Sequence, residues 1–207
     1  METPRIVIFD LGKVLVDFDY GLAAQKFCAN CALKPEAVRS VLTSEILYRY
    51  ETGLMTRTEF YEEICRATGF AGDIEQFGSF FADIFTPIEP MVELHATLRA
   101  RGVPTYIFSN TNDLAIAHIR HNFPFFRNFD GYILSYEVGA MKPEAKIYEA
   151  AERQSGHRGS NLLYIDDRPE NLVTAEARGW QVILQETPDK TLAAVRQSGL
   201  LDRRAGG

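Results

Sequence analysis

Asp10, Ser109 and the pair Asp166-Asp167 each close a short apolar run: Ile6-Val7-Ile8-Phe9, Tyr106-Ile107-Phe108 and Leu162-Leu163-Tyr164-Ile165. Runs without polar alternation suit strands buried on both faces of a parallel sheet. Ligands of an open parallel sheet bind at the carboxyl ends of its strands, so these polar groups converge although about 150 residues separate the first from the last. A lone strand-end aspartate is usually a turn or cap residue. The joint pattern is what points to a site.

Three carboxylates brought together repel and raise one another's pKa unless a cation joins them. An all-oxygen donor set suits Mg2+, which takes one or two carboxylates, waters and a substrate phosphate oxygen, and the substrate is then anionic. Lys142 is a further cation; the following Pro143 predicts a helix starting there, proline being favoured at the first helical position. Ser109-Asn110-Thr111-Asn112, at a strand-to-helix turn, offers a hydroxyl and free backbone N–H groups to phosphate oxygens.

A fourth apolar run, Val182-Ile183-Leu184, completes the strands that must position these groups. Helical patterns fall near Pro90 to Arg101, Asp113 to His121, Pro143 to Gln154 and Pro169 to Arg178. The β-α-β-α rhythm predicts an α/β fold with a doubly wound, mostly parallel sheet, a Rossmann-type core. The stretch from Phe18 to Ile88 breaks it, with several amphipathic helical segments and no convincing strand. The predicted division is residues 1–17 and 89–207 for the α/β core and 18–88 for an all-helical insertion, placed over the carboxyl end of the first strand as a lid. Within it Thr56 and Glu59 form a capping box, and Phe60 and Ile64 supply one apolar face. Tyr20, Tyr48, Arg49 and Tyr50 read as packing residues of the insertion, with a place facing the substrate as the alternative.

The 207 residues, 46% apolar and 24% charged, suit one domain with a large insertion or two small ones. With 22 basic and 28 acidic residues the net charge is −6, so no global positive field gathers nucleic acid or an acidic membrane surface. No apolar run approaches about 18 residues and no leader pattern opens the chain, so neither membrane spanning nor secretion is expected. Cys28, Cys31 and Cys65 make no disulfide framework, which predicts a cytoplasmic, reducing location. Cys28 and Cys31 spell a CxxC without a second pair, and Asp202 to Gly207 read as a frayed tail.

The motifs taken in order are Phe9-Asp10-Leu11-Gly12-Lys13-Val14-Leu15-Val16-Asp17, Phe108-Ser109-Asn110-Thr111, Met141-Lys142-Pro143 and Ile165-Asp166-Asp167 through Asn171. Over roughly residues 5 to 185 this resembles the haloacid dehalogenase-like (HAD) hydrolases with a C1 cap, most closely a branch that includes α-D-glucose-1-phosphate phosphatases. The resemblance implies hydrolysis of a small phosphorylated metabolite, a sugar phosphate, through an aspartyl-phosphate on Asp10. It further implies Ser109 and the Asn110 N–H as phosphate holders, Lys142 as the neutralising cation, and Mg2+ bound by Asp10, the Gly12 carbonyl and Asp167, with Asp166 supporting the metal from beside it. A carboxylate is a weak nucleophile, so positioning, metal and lysine would supply most of the acceleration.

One position departs from that family. Its phosphatases usually carry a general-acid aspartate two residues after the nucleophile, and here that residue is Gly12. Losing a general acid typically costs roughly 10²–10⁴-fold. Either another group substitutes, Asp17 and Asp19 being near in sequence, or the leaving group departs unaided, or the chain binds phosphorylated ligands without turnover. An L-2-haloacid dehalogenase is the alternative enzyme, though the resemblance implies a tyrosine at position 12 for it and no acidic pair at 166–167. Substrate identity and oligomeric state are not encoded in these motifs.

Overall fold

The computed structural model describes residues 3–31 and 33–202, so of the tail expected to fray residues 203–207 lie outside the described residues. The chain opens with β1 (Ile6–Phe9) and β2 (Val16–Phe18), then five helices, α1 (Tyr20–Cys28), α2 (Pro35–Leu42), α3 (Glu45–Glu51), α4 (Arg57–Thr68) and α5 (Ile74–Ala82). It continues through β3 (Phe85–Pro87), α6 (Glu89–Ala100), β4 (Thr105–Ser109), α7 (Asp113–Asn122), β5 (Gly131–Leu134) and α8 (Ser135–Val138). The last elements are α9 (Ala145–Ser155), β6 (Leu162–Asp166), α10 (Pro169–Ala177), β7 (Gln181–Leu184) and α11 (Pro188–Gln197).

Five parallel strands lie in the order β5-β4-β1-β6-β7, with β1, fully buried, in the middle. Successive side chains of a strand point to opposite faces, and both faces here are covered. Val7, Phe9, Ile107, Leu163 and Ile165 pack with Met91, Leu94 and Leu98 of α6, Ile116 and Ile119 of α7 and Val195 of α11. Ile6, Ile8, Phe108, Leu162 and Tyr164 pack on the other side with Ile147, Tyr148 and Ala151 of α9 and Leu172 and Ala175 of α10. This is the doubly wound α/β architecture expected from the unbroken apolar runs.

Four details depart from the sequence reading. Val182 to Leu184 do form β7, but as an edge strand with one neighbour, so the run is only half-buried and Leu184 is exposed. Strand β5 was not anticipated: its four residues begin with Gly131 and carry no longer apolar run than many loops do. Phe85–Pro87, inside the stretch read as all-helical, is the strand β3, which pairs antiparallel with β2 through Phe18↔Phe85 and Val16↔Pro87. Three-residue strands are too short to show a period. Pro143 does not open the next helix; the Lys142–Pro143 peptide is cis and α9 begins at Ala145.

Helices α1–α5 form the insert and carry their own aromatic core, in which Phe27, Phe60, Phe77 and Phe81 are buried and the Tyr50 and Phe60 rings stack 4.3 Å apart. The Thr56–Glu59 capping box starts α4 as expected, and Phe60 and Ile64 are fully buried on its inner face. Leu114 of α7 joins this second core, which seats the insert on the carboxyl side of the sheet. Among the described residues no helix is long and apolar enough to cross a membrane.

Candidate active site

Strand register builds the site. Phe9 lies opposite Ile165 and the Asp10 N–H donates to the Ile165 carbonyl at 2.9 Å, so Asp10 and Asp166 emerge level from adjacent strands. By alternation both share the sheet face of Ile8 and Tyr164, the face on which Lys142 arrives from the loop before α9. Asn110 holds that loop from β4: its side-chain oxygen accepts from the Lys142 N–H at 2.8 Å and its amide donates to the Lys142 carbonyl at 3.0 Å.

The Lys142 ammonium is 3.0 Å from Asp10 Oδ1 and 2.8 Å from Asp166 Oδ2, and it also donates to the Phe108 carbonyl and the Tyr164 hydroxyl. Asp166 is fully buried with both oxygens engaged, one by the Arg168 N–H and Asn171, the other by Lys142, Asn171 and the Tyr164 hydroxyl. Carboxylate oxygens of Asp10, Asp166 and Asp167 lie within 4.8 Å of one another. Three carboxylates against one ammonium leave 1 − 3 = −2 at this point. A surplus of two negative charges on hard oxygen donors fits a divalent cation such as Mg2+.

The electrostatics carry the same signature. Burial pushes the Asp10 carboxyl up to about 7, with the negative charges of Asp166 and Asp167 adding to the rise and Lys142 opposing it. Asp167 is raised as well, by burial and then by Asp166. For Asp166 burial opposes the charge but Lys142 outweighs it and holds the carboxyl below its usual range. Lys142 mirrors this: burial disfavours its charge, and Asp10 and Asp166 more than restore it.

Asp10, Gly12, Lys13, Asn110, Lys142, Asp167 and Arg168 line a cavity of about 200 Å³, together with Tyr20, Leu47 and Glu51 of the insert. Ser109 lines a smaller space of about 50 Å³ that adjoins it, shared with Gly12, Asn110, Thr111 and again Glu51. Asn112 caps α7 there, its side chain accepting from the Ala115 N–H at 2.9 Å. A roomier groove of about 520 Å³ beside β7 has Glu176 as its one charged lining residue and no convergent polar set. The structure thus brings together every residue singled out at the strand ends, with Asp166 behind the cavity wall and Asp10 and Asp167 on its surface.

The family model of the haloacid dehalogenase-like hydrolases matches residues 4–179. This chain is a haloacid dehalogenase-like hydrolase. Over 180 residues it is 24% identical to the sesquiterpene phosphatase astK of Aspergillus oryzae, covering 86% of this chain and 87% of that protein. It is 23% identical to a D-ribitol-5-phosphate phosphatase of Bacteroides thetaiotaomicron, covering 87% and 91%. A Bacteroides thetaiotaomicron HAD family enzyme, crystallised with magnesium and inorganic phosphate, superimposes with a TM-score of 0.75 at 24% identity, over 87% of this chain and 93% of the other.

In this hydrolase the Phe18 ring stands beside Gly12. A Cβ built on Gly12 would come within 2.8 Å of the Phe18 ring. The two nearby acids are turned to other tasks: Asp17 is exposed and paired with Lys13, and Asp19 caps α1 by accepting from the Gly21 N–H at 2.7 Å. Neither lines the cavity, so neither stands in for the missing aspartate. Of the four insert residues read as packing, Tyr20 packs against Phe18 and Phe81 and also lines the cavity, Tyr48 is exposed, Arg49 pairs with Glu63 at 3.1 Å, and Tyr50 is buried. Glu51 escaped the sequence reading. Its signal was an acid at the last position of a helix, ahead of Thr52-Gly53, where the helix dipole disfavours a negative charge.

Proposed function

We propose that this hydrolase is a Mg2+-dependent phosphatase acting on a small phosphorylated metabolite, a sugar phosphate, with Asp10 as the phosphoryl acceptor. The observation that carries this reading is the buried Asp10–Lys142–Asp166 row beside Asp167, whose surplus of two negative charges faces the cavity. The Asp10 and Asp167 carboxylates with the Gly12 carbonyl would hold Mg2+, and Asp166, its oxygens already engaged, would support that set and orient Lys142. When bound, the metal supplies positive charge against the transferring phosphoryl group. Lys142 neutralises further charge there, while the Ser109 hydroxyl and the Asn110 N–H hold phosphate oxygens. The insert, residues 18–88, acts as the cap that excludes water around the reacting centre.

The two phosphatase relatives and the phosphate-bound structural neighbour support the reaction class. A cavity of about 200 Å³ suits a phosphate with a short organic group. The half-buried free thiols of Cys28, Cys31 and Cys65 fit a cytoplasmic setting. Dehalogenation is disfavoured by the acidic surplus, because an aspartate attacking carbon needs no metal and gains nothing from a second carboxylate lining the cavity.

The test is phosphate release from p-nitrophenyl phosphate with and without Mg2+, alongside Asp10→Asn. The expected result is metal-dependent turnover that falls by about 10⁴-fold or more in the variant, as for removal of a nucleophile. Turnover that survives the substitution, or metal-independent halide release from a 2-haloacid, overturns the reading.

A further inference from the structure

We propose that Glu51, the last residue of α3 in the insert, is the general acid and base of the reaction, in the role that position 12 cannot fill. This rests on the phosphatase reading above. Three observations carry it, and the first is steric. The space a side chain at position 12 would need is held by Phe18, whose ring edge would be 2.8 Å from the new Cβ.

The second is the inventory of the cavity wall. The titratable and charged groups facing it are Asp10, Lys142, Asp167 and Arg168 from the core, Lys13 from the turn after β1, and Tyr20 and Glu51 from the insert. Asp10 and Asp167 are committed to the nucleophile and metal roles, Lys142 to charge neutralisation, and Lys13 to its pair with Asp17. Burial, helped by the nearby Glu51, drives the Tyr20 hydroxyl well above its ordinary range, so it is not ionised near neutrality and cannot take the proton of the attacking water as the base. Glu51 is the remaining carboxyl, and it lines both the main cavity and the adjoining space at Ser109.

The third is that Glu51, although on the insert, is fixed to the core. On one side of it the Tyr50 hydroxyl donates to Asp113. On the other, Arg57 pairs with the same Asp113 at 2.6 Å, and Gly53, with φ +71°, sits so close to the core that an added Cβ would lie 2.3 Å from the Tyr136 carbonyl oxygen. Asn112 donates to Glu51 Oε1 at 3.5 Å, a long bond that leaves the carboxyl free to meet a ligand. Burial pushes the group up to about 7, and its seat at the carboxyl end of a helix acts in the same direction. A catalytic acid performs best with a pKa near the working pH.

In the first step the Asp10 carboxylate oxygen bonds to phosphorus as the ester P–O bond breaks. The departing oxygen keeps the bonding pair and takes the Glu51 proton, leaving as an alcohol. In the second step water bonds to phosphorus, its proton passing to the Glu51 carboxylate, while the P–O bond to Asp10 breaks. Inorganic phosphate leaves, and both side chains return to their starting states.

Single-turnover and steady-state kinetics of the wild type and Glu51→Gln, with Mg2+, on p-nitrophenyl phosphate and on an alkyl phosphate test the assignment. Nitrophenolate leaves without protonation, so its burst is expected to persist within a few-fold. Alkyl ester cleavage should fall about 10²–10⁴-fold, and hydrolysis of the phosphoenzyme should slow so that it accumulates on the aryl substrate. Glu51→Asp, which keeps an acid on a shorter arm, should recover part of the alkyl activity. Equal loss on both esters in the single-turnover cleavage step, or loss in neither that step nor phosphoenzyme hydrolysis, overturns the assignment. A wild type inactive on both esters overturns the phosphatase reading and this inference with it, whereas an active wild type with an indifferent Glu51→Gln overturns this inference alone.

Discussion

On the sheet side of the cavity the polar side chains are bonded to one another: Asp166 satisfies both oxygens, Lys142 meets two carboxylates, a carbonyl and a hydroxyl, and Asn110 grips the Lys142 backbone in both directions. On the insert side, Tyr20 and Leu47 present mostly carbon and Glu51 has a hydrogen bond of 3.5 Å. A closed network holds its charges in place whatever occupies the cavity, which suits chemistry that is the same for every phosphate ester. A loosely bonded carboxyl in an apolar setting is available to the variable part of the substrate, the group that leaves.

Removing the sheet-side cation tests the contrast most harshly. Lys142→Met leaves Asp10 and Asp166 facing each other without a counter-charge, and losing one partner of a buried ion pair costs about 3–5 kcal/mol. Urea denaturation without divalent ions should show that loss, and adding Asp166→Asn should recover part of it. A cost below about 1 kcal/mol would mean that the two halves of the site are equally loose.

Gly53→Ala acts on the hold between insert and core. Its Cβ would meet backbone, which cannot swing aside, in a conformation that disfavours side chains, and about 1–3 kcal/mol is expected. Limited proteolysis should then open the insert before the sheet, and cuts confined to the sheet would contradict the anchoring.

The third prediction concerns pH. The folded Glu51 carboxyl titrates near 7 against an ordinary 4.5, so between those values the folded state binds more protons than the unfolded one. Its stabilising share is complete below about 4.5 and is lost as pH rises through about 7. Glu51→Gln removes that slope and should gain about 1–2 kcal/mol over the wild type above pH 7, read as the difference in Tm between pH 5 and 8 in metal-free buffer. Asp10 contributes the same slope to both proteins and cancels; parallel Tm curves would contradict the burial of Glu51.

Legibility in the sequence follows the same divide. Asp10, Ser109 and Asp166 could be found because a strand buried on both faces writes an unbroken apolar run, and the residue that ends it marks the ligand side of the sheet. The capping box at Thr56 was equally plain, since its two partners are three residues apart. Glu51 could not be found that way: its position depends on Arg57, Gly53 and Tyr50 meeting Asp113 and Tyr136, residues of a different layer. The role of Phe18 was hidden too, because nothing in the spacing of Gly12 and Phe18 shows that the turn between them brings the Phe18 ring against the Gly12 α-carbon. The edge strand β7 was read as fully buried because an apolar run does not say how many neighbours its strand has.

The ribbon of β2 and β3 sets how the insert is attached. Phe18 and Phe85 face each other across it, so the polypeptide departs and comes back through a single doorway about 5 Å wide. A crossing that narrow leaves the order of the sheet strands independent of the length of chain between the two phenylalanines. Whole cassettes could be grafted between those two phenylalanines from a relative without re-threading the sheet, and the transplant would bring a different proton donor with it.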